Sequence, residues 1–273
     1  MPTKVAVFPL ALIALALAGC ASDRNAAAEA MAQSAGMVRR VVPAGDFALT
    51  TYSRVADPGQ PVTVYIEGDG LAWRTRYEPS LDPTPRKAVG LALAAADRSA
   101  NVVYLARPCQ FTAPAANPRC GTAYWTDKRF APEVIAATDA AIDRMVASGT
   151  GVNLVGYSGG GAVALLVAAR RRDVISIRTV AGNLDQAEVN RIHRVDPMPG
   201  SLNAIDFAPQ LANIPQLHFS GGDDETVPPA IANRFRAAAG ERCVKTLVVP
   251  GASHESGWPE RWPTLLAMKP SCD

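Results

Sequence analysis

The sequence predicts one α/β domain, an open and mostly parallel sheet of about eight strands with helices on both faces. Three observations predict it. From about residue 61 onward, short β-branched runs alternate with longer stretches of helical apolar spacing. No internal repeat or second composition regime follows Met37. The chain has 273 residues, 48% apolar and 19% charged, enough to bury a substantial core. The same figures exclude a disordered chain, a collagen and a disulfide miniprotein.

Each element has its own local reason. Residues 38–42 and 47–52 flank Pro43-Ala44-Gly45-Asp46 and read as an opening hairpin. Residues 61–66 are a strand, 86–96 a helix and 101–105 a strand. Residues 132–147 place Val134, Ile135, Ala141, Ile142, Met145 and Val146 on one helical face. A strand at 152–155 runs into a helix at 160–170, and 174–181, 216–220 and 244–249 supply three further strands, the last two followed by helices. Strands alternating with helices imply parallel pairing through right-handed crossovers.

The N-terminus reads as an address. Residues 1–4 carry a lysine and 5–18 are continuously apolar, the pattern of a secretory signal rather than a spanning helix. Leu17-Ala18-Gly19-Cys20 then resembles the lipobox of bacterial lipoproteins. The resemblance implies cleavage after residue 19, diacylglycerol attachment at Cys20 and a lipid anchor in the cell envelope. Ala21 in the second mature position implies the outer membrane, facing the periplasm. Residues 20–37 read as the lipidated cysteine and a tether that could span roughly 60 Å if extended, with a short helix as the alternative. The main domain is 38–273.

Charge does not identify a partner. There are 27 basic and 25 acidic side chains with no basic block, which argues against nucleic acid. Beyond Cys20 lie Cys109, Cys120, Cys243 and Cys272, an even number in an exported chain. Proximity in a Pro-rich loop pairs Cys109 with Cys120, leaving Cys243 to tie down the tail through Cys272. With three histidines and no Cys-x-x-Cys, no metal site is expected. No glycine-rich phosphate cradle or other cofactor signature appears, so cofactor-free chemistry is expected.

The strand at 152–155 leads into Gly156-Tyr157-Ser158-Gly159-Gly160 and then directly into an apolar helix. This is G-x-S-x-G in a strand, turn, helix context. Glycines let the chain segments approach closely while the serine projects from a strained turn, and a helix N-terminus beside it favours developing negative charge. A nucleophilic hydroxyl needs a base. His218 sits within a strand and reads as a core residue, and His193 lies in a polar stretch and reads as solvated. His254 follows a strand in Pro250-Gly251-Ala252-Ser253-His254, at the C-terminal edge where open parallel sheets bind ligands. For the orienting acid, the Gly-x-x-Asp-x-x-Val-Pro frame in residues 221–228 falls on Asp224, ahead of Asp223 and Glu225.

The order Ser158, Asp224, His254, each after a strand, resembles the α/β-hydrolase superfamily over roughly 38–273. The resemblance implies that Ser158 attacks an acyl carbonyl, His254 takes its proton, Asp224 orients the imidazole, and an acyl-enzyme is then hydrolysed. Gly159 is the expected first oxyanion donor through its backbone N–H. The second belongs to the loop after 61–66, where Glu67-Gly68-Asp69-Gly70 departs from the His-Gly start of many members. Position points to the Asp69 N–H, with Gly70 or Leu71 as alternatives, and requires the Asp69 carboxylate to be turned away or paired. Glu67 and Asp69 otherwise organise the turn.

Residues 182–215 are longer than an ordinary connection and read equally as a small cap over Ser158 or as one crossover helix. Trp73, Tyr77, Trp125 and Tyr157 are candidates to line an acyl or aryl pocket, and Arg107 reads as a structural salt-bridge partner ahead of a carboxylate-binding residue. The expected activity is a serine hydrolase on small or lipid-like acyl esters, anchored to the membrane. The rival is a non-catalytic envelope lipoprotein using the fold as a scaffold. Thioesterase, peptidase or depolymerase chemistry would use the same machinery. The oligomeric state is not legible.

Overall fold

The computed structural model describes residues 23–273. The signal segment at 1–19 and Cys20 lie outside the described residues. Eight strands form one sheet in the order β1 (Val38–Ala44), β2 (Phe47–Val55), β4 (Asn101–Leu105), β3 (Val62–Ile66), β5 (Val152–Tyr157), β6 (Val174–Val180), β7 (Gln216–Gly221), β8 (Val244–Val249). The β1–β2 and β2–β4 pairs are antiparallel, and all pairs from β4 through β3 to β8 are parallel. The sequence-predicted sheet is therefore present, including its opening hairpin.

The central strands carry apolar side chains on both faces, as strands between two helical layers must. Val62, Val64, Ile66, Val103 and Leu105 join one core cluster with α3 (Pro132–Met145), α4 (Gly159–Ala168) and α6 (Pro229–Ala239). Tyr65, Val102 and Tyr104 join the other, with α1 (Arg24–Ser34), α2 (Val89–Ala96) and α7 (Trp262–Ala267). α5 (Gln186–His193) lies in the crossover between β6 and β7.

Three local outcomes differ from or decide between the sequence readings. Residues 24–34 form a helix rather than an extended tether, capped by the Asp23 carboxylate on Asn25 and Ala26. Its Ala28 and Ala32 are buried with Met37 in the second core cluster, so the alternative short helix belongs to the body. α2 begins at Val89, not residue 86, because its N-terminal amides are satisfied from another element, as described below. Residues 182–215 hold α5 and two short 3₁₀ turns, Ala204–Phe207 and Pro209–Leu211. They are fastened to the body where the Phe130 amide donates to the Ser201 hydroxyl and the Leu202 amide to the Phe130 carbonyl. That is a docked crossover.

Cys109 is bonded to Cys120 and Cys243 to Cys272, the pairings expected. Among the described residues no helix is long and apolar enough to cross a membrane.

Candidate active site

Ser158 stands between β5 and α4 at φ +51°, a conformation that costs a non-glycine residue energy and persists only where the surroundings impose it. The surroundings here are backbone. A Cβ on Gly156 would lie 2.2 Å from the Gly160 carbonyl oxygen, and one on Gly160 would lie 2.2 Å from that of Ile66 at the end of β3. The turn is held from both ends, since the Ser158 amide donates to the Val180 carbonyl while the Ser158 carbonyl accepts from Gly161 and Asn183. Gly159 is the first residue of α4, so its N–H has no intrahelical acceptor.

Two loops at the same sheet edge meet Ser158. Ser158 Oγ is 3.0 Å from His254 Nε2, and His254 Nδ1 is 2.9 Å from Asp224 Oδ2. The other Asp224 oxygen accepts from the amides of Thr226 and Val227, so the buried carboxylate is fully engaged. Asp223 and Glu225 are exposed, and neither is hydrogen-bonded to His254. The two loops are stitched together by the Gly222 amide on Val249 and the Asp223 amide on Ala252. The His254 carbonyl accepts from the Tyr157 hydroxyl and from Trp258 Nε1, fixing the backbone that carries the imidazole.

The third wall is the loop after β3. Glu67 is buried and accepts from the amides of Gly68, Gly90 and Leu91 and from the Tyr104 hydroxyl. It therefore caps α2 from a different element, and this is why that helix starts late. Burial raises the Glu67 carboxyl pKa, and these donors oppose the rise. Asp69 is paired on both oxygens, with Arg107 Nη1 at 3.0 Å and Arg129 Nη1 at 2.9 Å. Burial alone would raise its pKa, but the two guanidinium groups outweigh burial and hold it below the usual value. Gly68 brings the loop against the serine, since a Cβ there would lie 3.2 Å from Ser158 Cβ.

The strand order, the placement of Ser158 after β5, Asp224 after β7 and His254 after β8, and the solved structures that superpose on the chain all agree. Est1E from Butyrivibrio proteoclasticus matches with a TM-score of 0.55 at 15% identity, covering 84% of this chain and 97% of that one. An alpha-beta serine hydrolase homologue from Coxiella burnetii matches at 0.55 and 16%, covering 84% and 93%. The esterase domain of a Rhodothermus marinus protein matches at 0.55 and 15%, covering 84% and 94%. The chain has the α/β-hydrolase fold. No protein-family profile and no curated protein matches its sequence.

Within this α/β-hydrolase fold, a cleft of about 600 Å³ opens over Ser158 and His254, lined also by Asp69, Leu71, Trp73, Arg86, Lys87 and Tyr157 among others. Of the four candidate aromatics, Trp73 and Tyr157 line it. Tyr77 does not, being at an exposed loop tip, and neither does Trp125, which is buried and donates from Nε1 to the Ser80 carbonyl. Arg107 is the structural partner of Asp69. His218 is a core residue bonded to the Thr179 hydroxyl, its pKa lowered to about 3 by burial. His193 is exposed, with Nε2 on the Thr226 carbonyl. Among the described residues no cluster of His, Cys, Asp or Glu is placed to hold a metal ion.

Sequence reasoning missed Arg129, Trp258 and the capping role of Glu67. Arg129 and Glu67 act across 60 and 23 residues of sequence, and no local pattern marks such partners. Trp258 is four residues beyond His254, and that proximity was the one available signal.

Proposed function

We propose that this protein is a serine hydrolase that cleaves acyl esters through Ser158 and is held at the cell envelope by a lipid on Cys20. One observation carries the first part: the continuous contact from Ser158 Oγ through the His254 imidazole to the buried Asp224 carboxylate. Asp224 accepts the Nδ1 proton of His254, which leaves the Nε2 lone pair facing the serine hydroxyl. As Ser158 Oγ adds to the ester carbonyl, Nε2 takes its proton. The carbonyl oxygen becomes an oxyanion facing the amide of Gly159 at the start of α4 and the amide of Asp69. Among the described residues neither the Asp69 amide nor its neighbour at Gly70 has a hydrogen-bond acceptor, which supports that loop as the second donor. The pairing of the Asp69 carboxylate with two guanidinium groups answers the objection that a bare negative charge would oppose the oxyanion. His254 then protonates the leaving alcohol, the acyl group stays on Ser158, and a water activated by His254 releases the acid.

The lipobox-like Leu17-Ala18-Gly19-Cys20 supports the anchor, with the outer membrane facing the periplasm as the destination. Fluorophosphonate labelling and turnover of a short activated ester test the activity. Ser158→Ala should abolish labelling and lower turnover by at least about 10³-fold. Equal labelling of the variant would refute the assignment, and a folded wild type without labelling or turnover would favour the binding scaffold. Incorporation of labelled fatty acid that persists in Cys20→Ala would refute the anchor.

A further inference from the structure

The loop from β3 to α2 contains a small hairpin whose pattern is inside out. Trp73 bridges Pro79, the Ser80 amide donates to the Ala72 carbonyl, and the Arg74 amide donates to the Glu78 carbonyl. In such a pair alternate residues face opposite sides. Small Ala72 and Ser80 are buried toward the body, whereas Trp73 is 42% exposed and Leu81 86%, with Tyr77 at the tip also 86% exposed. Tyr77 and Leu81 are the most exposed large apolar side chains described, nine residues hold all three, and Trp73 also lines the cleft over Ser158. Single exposed apolar residues need no explanation, but three on one nine-residue hairpin do, of which Trp73 lines the cleft and Leu81 a neighbouring cavity beside α1.

Two further features say what covers it. Residues 71–87 carry four cations, Arg74, Arg76, Arg86 and Lys87, against two carboxylates, Glu78 and Asp82, a net +2. Both carboxylates are consumed in ion pairs, Glu78 with Arg74 and Asp82 with Arg24, and among the described residues Arg76, Arg86 and Lys87 have no acidic partner. Two exposed carboxylates without an ion pair share cavities with this loop, Asp23 with Leu81 and Glu255 with Arg86 and Lys87, so the three unpaired cations leave the surface positive by one. The second feature is Arg24, the first residue of α1, which donates to the Thr84 carbonyl as well as to Asp82. The chain therefore emerges at this same loop, and Cys20 precedes Asp23 by three residues, a reach of roughly 11 Å.

We propose that the Trp73–Leu81 hairpin, with Arg76, Arg86 and Lys87, is a membrane-docking surface that seats the mouth of the Ser158 cleft on an anionic bilayer, so that the substrates are acyl esters presented at that surface. This rests on the lipid-anchored hydrolase reading above. An amphipathic aromatic ring suits the headgroup level, and each cation near an anionic surface strengthens partitioning about five-fold. The short connection from Cys20 through a docked helix would hold this face toward the lipid.

The full-length lipidated protein, reconstituted in phosphatidylcholine vesicles with 30% phosphatidylglycerol and acyl chains brominated near the headgroup, tests this. Trp125, Trp258 and Trp262 are buried, so Trp73 is the reporter. Bromolipid quenching should be present, should weaken several-fold when phosphatidylglycerol is omitted, and should vanish in Trp73→Phe; undiminished quenching in that variant, or none in the wild type, overturns the proposal. Tyr77→Ser with Leu81→Ser should reduce hydrolysis of a vesicle-borne ester at least ten-fold and leave a soluble short ester unchanged. An equal effect on both substrates, no effect on either, or a shift only in the protein's own oligomeric state overturns it as well. Absence of soluble-ester turnover in the wild type counts against the hydrolase reading instead, and leaves the quenching result to judge the docking.

Discussion

Asp69→Asn isolates the part of the site that departs furthest from the α/β-hydrolase pattern. In the wild type one carboxylate bridges Arg107, whose side chain is only 4% exposed, and Arg129. The substitution keeps the volume but leaves two guanidinium groups facing a neutral amide. Breaking a buried ion pair by removing one partner costs about 3–5 kcal/mol. Asp69 is itself 15% exposed and Arg129 17%, so the lower end applies, about 3 kcal/mol. For a chain of this size that is a fall in melting temperature of roughly 6–12 °C. The pH dependence follows from the direction of the shift. The folded pKa of Asp69 lies below its unfolded value, so its contribution is fully present above about pH 4 and is lost as pH falls through the folded value. Thermal melts of wild type and variant from pH 7 to pH 3 read both quantities. Adding Arg107→Gln to Asp69→Asn should restore part of the loss, because the more deeply buried of the two stranded charges is then gone. A melting temperature within about 2 °C of wild type at pH 7, or a gap that does not begin to narrow as pH falls below about 4, would refute the reasoning.

Gly160→Ala should destabilise by about 3 kcal/mol or more, because the new Cβ meets two backbone carbonyls, of Ile66 and Glu67, that cannot swing aside. An unchanged urea midpoint would contradict the close approach of β3 to the elbow. His218 predicts acid sensitivity of a different kind. Its folded pKa is lowered to about 3, so between pH 6.5 and that value the unfolded chain binds a proton that the folded chain refuses, and stability falls with pH. Between pH 7 and pH 4 this amounts to about 3 kcal/mol, and His218→Gln should lose that slope. Identical slopes in urea titrations of the two proteins would count against a buried neutral imidazole.

The sequence alone was sufficient for the alternation that builds the sheet, the Gly-x-Ser-x-Gly turn, the order of Ser158, Asp224 and His254, and the cysteine pairing. The alternation, the turn and the Cys109–Cys120 pair are local patterns, a period of two or 3.6, a turn that only glycine neighbours permit and a spacing within one loop; Cys243–Cys272 followed by elimination, and the order of the three site residues by resemblance to a known family. Asp224 could be preferred over Asp223 and Glu225 from its frame, and the fold then buried it while leaving the other two in solvent. Only the tertiary structure decided the rest. It packed residues 24–34 onto the body as a helix, since the worth of Ala28 and Ala32 depends on the surface they meet. It made Glu67 the cap of a helix 23 residues away, gave the Asp69 carboxylate its two arginines, and built a wall of the cleft from the loop after β3. Those outcomes depend on charges and surfaces that are distant in the chain and meet only after it folds, and no periodicity records such meetings.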